Sequence, residues 1–399
     1  MTLDIAPLVQ PSPGKIVLVV LDGLAGFAGP DRGTELEEAH TPNLDALAAA
    51  GSLGLHDPVG PGITPGSGPA HMALFGYDPV EYQLGRGALS AAGLEVEIRP
   101  GDVAARGNLA TLDDEGRITD RRAGRLPDHE AAAVVEQLRA GISIPGVEVT
   151  LAHEAQHRVL VVFRGDDLSP LVADTDPQKV GVPPAAPVAD MPVADHTAEV
   201  VAEFDRQARA ILADHPRANV VLLRGFDSHR ELPSMLERYG VRSAAIAVYP
   251  MYRGVGSLVG MDVLPRPANL DEELALLRKY WDDYDYFFFH HKPTDSAGED
   301  GNFEAKVAAI EALDGAIPEI AAMGPDVLIV TGDHSTPSQM AAHSWHPVPV
   351  LMWGPRIGRD DQTTFGERFC LHGALGRRPG QELMHMALGA SGRLAKFGA

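Results

Sequence analysis

Acidic and imidazole side chains follow shortly after three apolar runs of the chain. They are Asp22, Asp295 and the adjacent pair Asp333 and His334. Glu299 stands four residues beyond Asp295, so a helical turn there points both carboxylates to the same side. Oxygen and imidazole ligands without thiolates suit Mn²⁺, Mg²⁺, Co²⁺ or Zn²⁺. The pattern predicts a divalent metal site, with a plain turn at Asp22 and a helix-capping Asp295 as the structural alternatives.

A further histidine, His343, lies nine residues beyond His334 and just before another apolar run. Its imidazole is a candidate ligand, and the alternative is a structural histidine whose ring nitrogens are hydrogen-bonded within the fold. We interpret the remaining histidines of these segments, His290, His291 and His346, as structural.

A candidate nucleophile, Ser67, lies in a loop rich in glycine and proline at residues 65–71. Glycine lets a ligand approach the backbone closely, and Pro69 predicts the start of a helix over residues 70–75. Ser67 would then lie at the amino terminus of a helix, where backbone N–H groups favour an anion such as phosphate. A metal bound to the hydroxyl would lower its pKa and orient it for attack. A flexible loop with a capping serine is the structural alternative.

The elements that must position these residues are short apolar strands and the helices between them. Apolar runs without alternation, typical of strands buried on both faces, occur at residues 16–21, 220–223, 244–248, 286–289, 327–330 and 350–352. Helical patterns lie at residues 42–50, 232–239, 271–281 and 303–323. This alternation predicts an α/β fold around a mostly parallel sheet. Since ligands bind beyond the carboxyl ends of parallel strands, the candidate residues should meet at one edge.

The composition of the chain changes between residues 101 and 219. This stretch contains an arginine-rich turn region at residues 117–125 and a proline-rich passage at residues 174–196. The passage is typical of a surface crossing or a linker. We therefore predict a discontinuous core domain, residues 1–105 and 220–399, interrupted by an inserted smaller domain at residues 106–219.

Net charge is the most biased property of the composition. The 399 residues include 33 Lys and Arg against 55 Asp and Glu, a formal charge of −22. Such a surface repels phosphate backbones and anionic lipids, so we expect neither nucleic-acid nor membrane partners. The single cysteine, Cys370, excludes an internal disulfide, and no apolar run is long enough for a signal or a membrane span. We expect a cytoplasmic protein; the composition does not indicate an oligomeric state.

Several separated motifs resemble one known family. Residues 40–47 (HTPNLDAL), with Asp22 upstream and Asp333 and His334 downstream, are similar to the alkaline phosphatase superfamily. Within it, the chain resembles the archaeal-type, cofactor-independent phosphoglycerate mutases at residues 66–71 (GSGPAH), 224–226 (RGF), 249–254 (YPMYRG) and 294–298 (TDSAG). The resemblance implies an alkaline-phosphatase-like core with a mostly parallel sheet flanked by helices, plus an inserted smaller α/β cap domain that binds substrate.

The resemblance also implies two metal ions and a phosphorylated serine. One ion would be bound by Asp295, Glu299 and His343, and the other by Asp22, Ser67, Asp333 and His334. Mn²⁺ is favoured, with Mg²⁺, Co²⁺ or Zn²⁺ as alternatives. Ser67 would take the phosphoryl group of 3-phosphoglycerate, and the 2-hydroxyl of glycerate would recover it to give 2-phosphoglycerate. The implied partner is a small phosphorylated substrate, phosphoglycerate.

Cationic side chains are needed to bind such an anionic substrate. The resemblance aligns Arg253 with a cationic phosphate ligand of related mutases, and Arg224 is a candidate at the hinge of the inserted domain. His157 and Arg158, within that domain, are candidates for binding the glycerate carboxylate. A guanidinium offers two parallel donors for a carboxylate or a phosphate. Lys292 could add a further charge, or it could be an ordinary solvated lysine.

One residue departs from the family pattern. At position 299 many relatives carry histidine, whereas this chain has Glu299. Glutamate still binds metals but favours harder ions such as Mn²⁺ or Mg²⁺, and it could leave that metal site empty. Two further functions therefore stay as alternatives to the mutase. One is a metal-dependent phosphatase or phosphonate-type hydrolase with water as acceptor, and the other is a catalytically inactive binding protein.

Overall fold

The computed structural model describes residues 5–229 and 231–398. The chain forms two compact units, a core unit of Met1–Gln83 with Leu232–Ala399 and an insert unit of Leu84–Glu231. We expected the boundaries near residues 105 and 220. They lie outside that interval because the strand Val103–Leu112 pairs with the strand Val220–Ser228, and both belong to the insert unit.

The elements are numbered in chain order. The strands are β1 (Ile16–Leu21), β2 (Ser52–Asp57), β3 (Val103–Leu112), β4 (Ile118–Asp120), β5 (Glu148–Ala155), β6 (Arg158–Arg164), β7 (Val220–Ser228), β8 (Ser243–Ala247), β9 (Asp262–Val263), β10 (Tyr286–His291), β11 (Val327–Thr331), β12 (Val348–Trp353) and β13 (Gly376–Pro379). The α-helices are α1 (Glu35–Glu38), α2 (Pro42–Ala48), α3 (Ser67–Leu74), α4 (Arg86–Gly93), α5 (Asp128–Gly141), α6 (Asp195–Ile211), α7 (Met235–Tyr239), α8 (Pro250–Leu258), α9 (Leu270–Lys279), α10 (Pro293–Glu299), α11 (Phe303–Asp314), α12 (Ile317–Ala322), α13 (Glu367–Cys370) and α14 (Glu382–Ala390). Short 3-10 helices lie at Ala6–Leu8 and Pro192–Ala194.

The sheet of the core unit has eight strands in the order β13-β2-β12-β11-β1-β10-β8-β9. The central strands β11, β1, β10 and β8 run parallel, so their carboxyl ends lie at the same edge. β12 runs antiparallel to both of its neighbours, β11 and β2. The expected α/β class with a mostly parallel sheet is confirmed.

Both faces of the central strands are buried, which explains why they are apolar without alternation. On one face, Val19 of β1 belongs to the same apolar cluster as Phe287 and Phe289 of β10. On the opposite face, the ring of Phe288 makes an edge contact with Phe75, the residue that follows α3, at 4.9 Å between centroids. The helix that begins at the candidate nucleophile therefore packs directly on the parallel sheet.

The insert unit has a five-stranded sheet in which β4, β3, β6 and β5 follow one another and β7 pairs with β3. Its pairings are antiparallel. The apolar run at residues 220–223, which we expected in the parallel sheet, therefore lies in β7 of this second sheet. Apolar content indicates that a strand is buried but not which sheet it joins. Helices α5 and α6 contribute Val134, Leu138, Val201 and Phe204 to the core of this unit.

Local signals explain where several helices begin and end. The pattern over residues 303–323 forms two helices, α11 and α12, and Pro318 stands in the first turn of the second, where its missing N–H does no harm. α7 begins with a capping box between Ser234 and Glu237 and ends at Gly240, whose φ is +63°. Among the described residues, no helix is both long and apolar enough to cross a membrane.

Candidate active site

Three strand ends of the core unit bring the predicted ligands together. β1 leads into Asp22, and β11 leads into Asp333 and His334. β10 leads into α10, which carries Asp295 in its first turn. Because β1 pairs in parallel with both β10 and β11, these side chains leave the sheet at one edge.

Asp22, Asp333 and His334 form one group of candidate ligands, here called the serine group. One ligand atom from each residue lies within 4.8 Å of the others, and all three residues are buried. His334 Nε2 lies 3.4 Å from Asp22 Oδ1 and 3.2 Å from Asp333 Oδ2. The hydroxyl of Ser67, the first residue of α3, lies 3.2 Å from the same nitrogen. The predicted nucleophile is thus a neighbour of three predicted ligands.

The charges of the serine group favour a bound cation. Asp22 Oδ1 and Asp333 Oδ2 accept no hydrogen bond within the described part of the chain. Burial and the adjacent Asp22 carboxylate raise the pKa of Asp333 well above its ordinary value. Buried acceptors that face one another are unfavourable unless a positive charge or a proton lies between them. Two carboxylates, an imidazole and a hydroxyl therefore fit a divalent metal ion.

Asp295, His334 and His343 form a second group, here called the His343 group. His343 Nδ1 donates to the carbonyl oxygen of Pro65 at 3.0 Å, which leaves Nε2 of the neutral ring as an acceptor. This Nε2 lies 3.7 Å from Asp295 Oδ1. The rings of His334 and His343 stack with centroids 3.7 Å apart. His334, which we assigned to one site from the sequence, is common to both groups.

Glu299 lies at the margin of the His343 group. It is the last residue of α10, four residues after Asp295, and its side chain is 54% exposed. Its carboxylate lies 3.9 Å from His343 Nε2. The atoms that cluster within 4.8 Å belong to Asp295, His334 and His343. Glu299 as a metal ligand therefore stays a prediction.

Lys292 lies beside both groups. Its Nζ is 2.9 Å from Asp22 Oδ2, contacts the carboxylate of Asp295 and donates to the Tyr252 hydroxyl at 3.3 Å. Burial lowers the pKa of this lysine, but the carboxylates outweigh burial and raise it well above its ordinary value. Lys292 is thus an ion-paired lysine, and a contact with substrate stays a prediction.

Two further histidines, neither of them predicted from the sequence to take part in the site, lie next to the ligands. His71 Nδ1 donates to the carbonyl oxygen of Ser67 at 2.8 Å and lies 3.3 Å from Asp333 Oδ2. Burial lowers the pKa of His71 to about 4. The ring of His290, which we interpreted as structural, stacks on Tyr252 with centroids 3.7 Å apart. The spacing of four residues between Ser67 and His71 is the signal that could have found the first of them.

Arg253 is buried within α8 of the core unit. Its Nη1 donates to the carbonyl oxygen of Leu264 at 2.8 Å, so part of the guanidinium is bound to the backbone of the same unit. Arg253 as a phosphate ligand stays a prediction.

The insert unit contains a cluster of arginine side chains around His157, here called the basic cluster. It comprises Arg86, Arg106, Arg122, Arg125, Arg158, Arg224 and His157. Burial, followed by the nearby Arg106 and Arg86, lowers the pKa of Arg224 to about 9. Burial and the surrounding guanidinium groups lower the pKa of His157 to about 3. Guanidinium groups close together can bind an anion, and the carboxylates of Asp174 and Asp176 lie among them.

Three members of the basic cluster, His157, Arg158 and Arg224, were candidates from the sequence. Arg224, the candidate at the hinge, lies within β7, with its Nε 3.9 Å from Asp176. The additional arginines were missed as candidates. The arginine-rich turn at residues 117–125, which contributes two of them, was the available signal. A role in substrate binding stays a prediction for all of them.

Comparison with known proteins places the chain in a family. A family model described as 2,3-bisphosphoglycerate-independent phosphoglycerate mutase matches residues 48–218. A relative from Thermus thermophilus, named probable 2,3-bisphosphoglycerate-independent phosphoglycerate mutase, is 51% identical over 98% of each chain. A relative of the same name from Aquifex aeolicus is 48% identical over 99% of each chain.

Two solved structures share the fold over nearly their whole length. A protein from Pyrococcus horikoshii superposes with a TM-score of 0.83 at 30% identity, covering 97% of this chain and 99% of that one. A cofactor-independent phosphoglycerate mutase from Thermoplasma acidophilum superposes with a TM-score of 0.69 at 29% identity, covering 95% of this chain and 100% of that one. Sequence identity, coverage and fold agree, and the chain belongs to the 2,3-bisphosphoglycerate-independent phosphoglycerate mutase family.

Proposed function

We propose that this chain interconverts 3-phosphoglycerate and 2-phosphoglycerate through a phosphorylated Ser67. The observation that carries the proposal is the position of the Ser67 hydroxyl, 3.2 Å from His334 Nε2 in the serine group. A free serine hydroxyl is a weak nucleophile and needs an adjacent base or cation to attack phosphorus. The names of the relatives from Thermus thermophilus and Aquifex aeolicus support phosphoglycerate as the substrate.

Two divalent ions are part of the proposal. Asp22, Ser67, Asp333 and His334 would hold one, and Asp295, Glu299 and His343 would hold the other. When bound, such ions lower the pKa of a coordinated hydroxyl and stabilise the attacking and leaving oxygens of phosphoryl transfer. The mixture of carboxylate oxygens and imidazole nitrogens favours Mn²⁺, with Mg²⁺, Co²⁺ or Zn²⁺ as alternatives.

The residues around Ser67 orient it for attack. Ser67 is the first residue of α3, where backbone N–H groups lack partners within the helix and can donate to phosphate oxygens. His71, one turn later in the same helix, holds the Ser67 carbonyl oxygen at 2.8 Å. Lys292 pairs with the carboxylates of Asp22 and Asp295 and so limits their movement. The nucleophile thus lies on a fixed helix end rather than on a flexible loop.

We assign substrate binding to the basic cluster of the insert unit, which would act as the cap domain. Guanidinium groups bind carboxylates and phosphates through paired hydrogen bonds, and phosphoglycerate carries both anions. A chain with a net charge of −22 needs such a local reversal of sign to bind an anion. Arg253 and Lys292 of the core unit are proposed as further cationic contacts.

The net charge of −22 and the buried Cys370 support a cytoplasmic protein without nucleic-acid or membrane partners.

The products formed from 3-phosphoglycerate test this function. The metal-depleted chain is supplied with Mn²⁺, Mg²⁺, Co²⁺ or Zn²⁺ in turn, and products are followed by phosphorus NMR. We expect 2-phosphoglycerate without stoichiometric inorganic phosphate, and the highest rate with Mn²⁺. Inorganic phosphate without 2-phosphoglycerate would overturn the mutase in favour of a phosphatase. No turnover with any of the four ions would favour an inactive binding protein.

A further inference from the structure

The Thr336 hydroxyl lies between two predicted ligands. It is fully buried, 2.7 Å from Asp295 Oδ1 and 3.0 Å from His334 Nδ1. It does not belong to either group of ligand atoms. Its partners include His334, the residue shared by the serine group and the His343 group.

The directions of these two hydrogen bonds follow from the number of protons. A hydroxyl has one proton to donate, and an ionised carboxylate can only accept. Thr336 therefore donates to Asp295 and must accept from His334, so the proton of the neutral His334 ring lies on Nδ1. This leaves the lone pair of Nε2 directed towards Ser67, Asp22 and Asp333. A ring in this tautomer is a metal ligand at Nε2.

The backbone of Thr336 is held independently of its hydroxyl. Its carbonyl oxygen accepts from Nζ of the buried Lys306 at 2.8 Å, and its N–H donates to Ala25 O at 3.1 Å. Because these contacts use only main-chain atoms of Thr336, a side-chain substitution there leaves them in place. The position of the hydroxyl is therefore set by the fold around it.

The neighbouring Gly23 leaves the space that this arrangement needs. Its φ is +63°, and a Cβ there would lie 2.4 Å from Thr336 Oγ1 and 2.8 Å from Asp295 Oδ1. Any side chain at position 23 would displace the hydrogen bond between these two residues. The turn after β1 therefore carries Asp22 and also leaves room for the hydrogen bond between Thr336 and Asp295.

We infer that Thr336 is a positioning residue that fixes the tautomer of His334 and joins it to Asp295, so that both ligand groups are preformed. Partners of this kind behind metal ligands typically contribute about 10- to 100-fold to metal affinity. The inference rests on the metal site of the proposed function but not on its substrate.

Metal affinity of side-chain variants tests the inference. Mn²⁺ binding to the full-length chain is measured by electron paramagnetic resonance for wild type, Thr336→Val and Thr336→Ser. We expect Thr336→Val, which removes the hydroxyl and keeps the shape, to bind Mn²⁺ about 10- to 100-fold more weakly. Thr336→Ser restores the hydroxyl and should bind close to the wild-type affinity. Thr197→Val, at a buried threonine of the insert unit whose hydroxyl accepts from Ser169 N, is the matched control and should bind as wild type.

The tautomer is measured separately on the wild-type chain without metal. Proton–nitrogen correlation NMR of histidine-labelled protein distinguishes the two neutral forms, and His334→Gln identifies the signal. We expect Nδ1–H for His334, and this test stands even if Thr336→Val does not fold. An Nε2–H ring in wild type, or equal Mn²⁺ affinity in wild type and Thr336→Val, overturns the inference. A wild-type chain that binds no Mn²⁺ instead contradicts the metal site of the proposed function.

Discussion

The carboxylates of the serine group are buried with like charges close together. Asp22 and Asp333 are fully buried, and oxygens of both lack donors among the described residues. Burying a charge that has no partner costs roughly several kcal/mol. Lys292 offsets part of this charge, at one oxygen of Asp22 and one of Asp295. Such an arrangement is typical of a site that a ligand completes.

Replacing the nucleophile tests its role most directly. We expect Ser67→Ala to lower turnover of 3-phosphoglycerate by roughly 10⁴-fold or more, because no other nucleophile replaces the hydroxyl. Mass spectrometry of quenched wild-type enzyme should show phosphate on the peptide containing Ser67. The thermal unfolding midpoint serves as the control for folding. Turnover of Ser67→Ala near the wild-type rate would refute the assignment.

Position 299, where this chain has glutamate instead of histidine, should contribute less to metal binding than position 295. The Glu299 carboxylate is half exposed and 3.9 Å from His343 Nε2, whereas Asp295 is buried among the ligands. We therefore expect Glu299→Gln to weaken Mn²⁺ binding less than Asp295→Asn does. Calorimetric titration of both variants measures the difference. A larger loss in Glu299→Gln would make Glu299 a principal ligand rather than a marginal one.

The ends of strands and the helices that follow them position most of the site residues. Parallel pairing of β1 with β10 and β11 brings three polar strand ends to one edge. α3 then presents Ser67 from its first residue, and α10 presents Asp295 from its first turn. In the insert unit, α4 packs so closely on β3 that a Cβ on Gly87 would lie 2.0 Å from Ala104 O.

Helix α9 buries an acid that gives stability a pH dependence. Burial raises the pKa of Glu273 from 4.5 to about 8. The folded chain therefore retains a proton that the unfolded chain loses, so stability should fall as pH rises from about 4.5 to 8. The loss is up to about 5 kcal/mol in free energy of unfolding.

Urea unfolding at pH 5 and at pH 8.5 measures this effect. We expect Glu273→Gln to be more stable than wild type at pH 8.5. Its free energy of unfolding should fall less than that of wild type between the two pH values. Asp271→Asn, on the exposed side of the same helix, is the matched control and should decline as wild type does. An unchanged decline in Glu273→Gln would show that other groups cause it.

For the whole molecule, metal removal should change both stability and substrate binding. The chain carries a net charge of −22 and gathers Asp22, Asp295 and Asp333 in its core unit. A ligand that binds only the folded state stabilises it by about 2.7 kcal/mol at a concentration 100 times its dissociation constant. We expect a chelator to lower the unfolding midpoint and weaken 3-phosphoglycerate binding, and Mn²⁺ to restore both.

Asp333→Asn is the control for this prediction. It removes one of the two facing buried carboxylates, so we expect the metal-free variant to be more stable than metal-free wild type. Its unfolding midpoint should respond little to Mn²⁺. Equal stabilisation of wild type and variant by Mn²⁺, measured by differential scanning fluorimetry, would place the bound ion elsewhere.

Much of the site could be predicted from the sequence because the patterns that indicate it are local. A buried parallel strand is an uninterrupted apolar run, and the polar residue that ends it marks the edge where ligands bind. Asp22, Asp333 and His334 were found in this way, and Ser67 from the glycine and proline around it. The same signals predicted the α/β class and most of the strands of the core unit.

Contacts between segments that are distant in the sequence could not be predicted from local patterns. Thr336 bonds to Asp295 across 41 residues, and β3 pairs with β7 across more than a hundred, so neither the His334 tautomer nor the unit boundaries follow from a local pattern. The basic cluster likewise gathers arginines from several segments of the insert unit. Burial and charge proximity exist only after the chain has folded, and these two quantities set the pKa values, proton positions and ligand sharing on which the proposed chemistry depends.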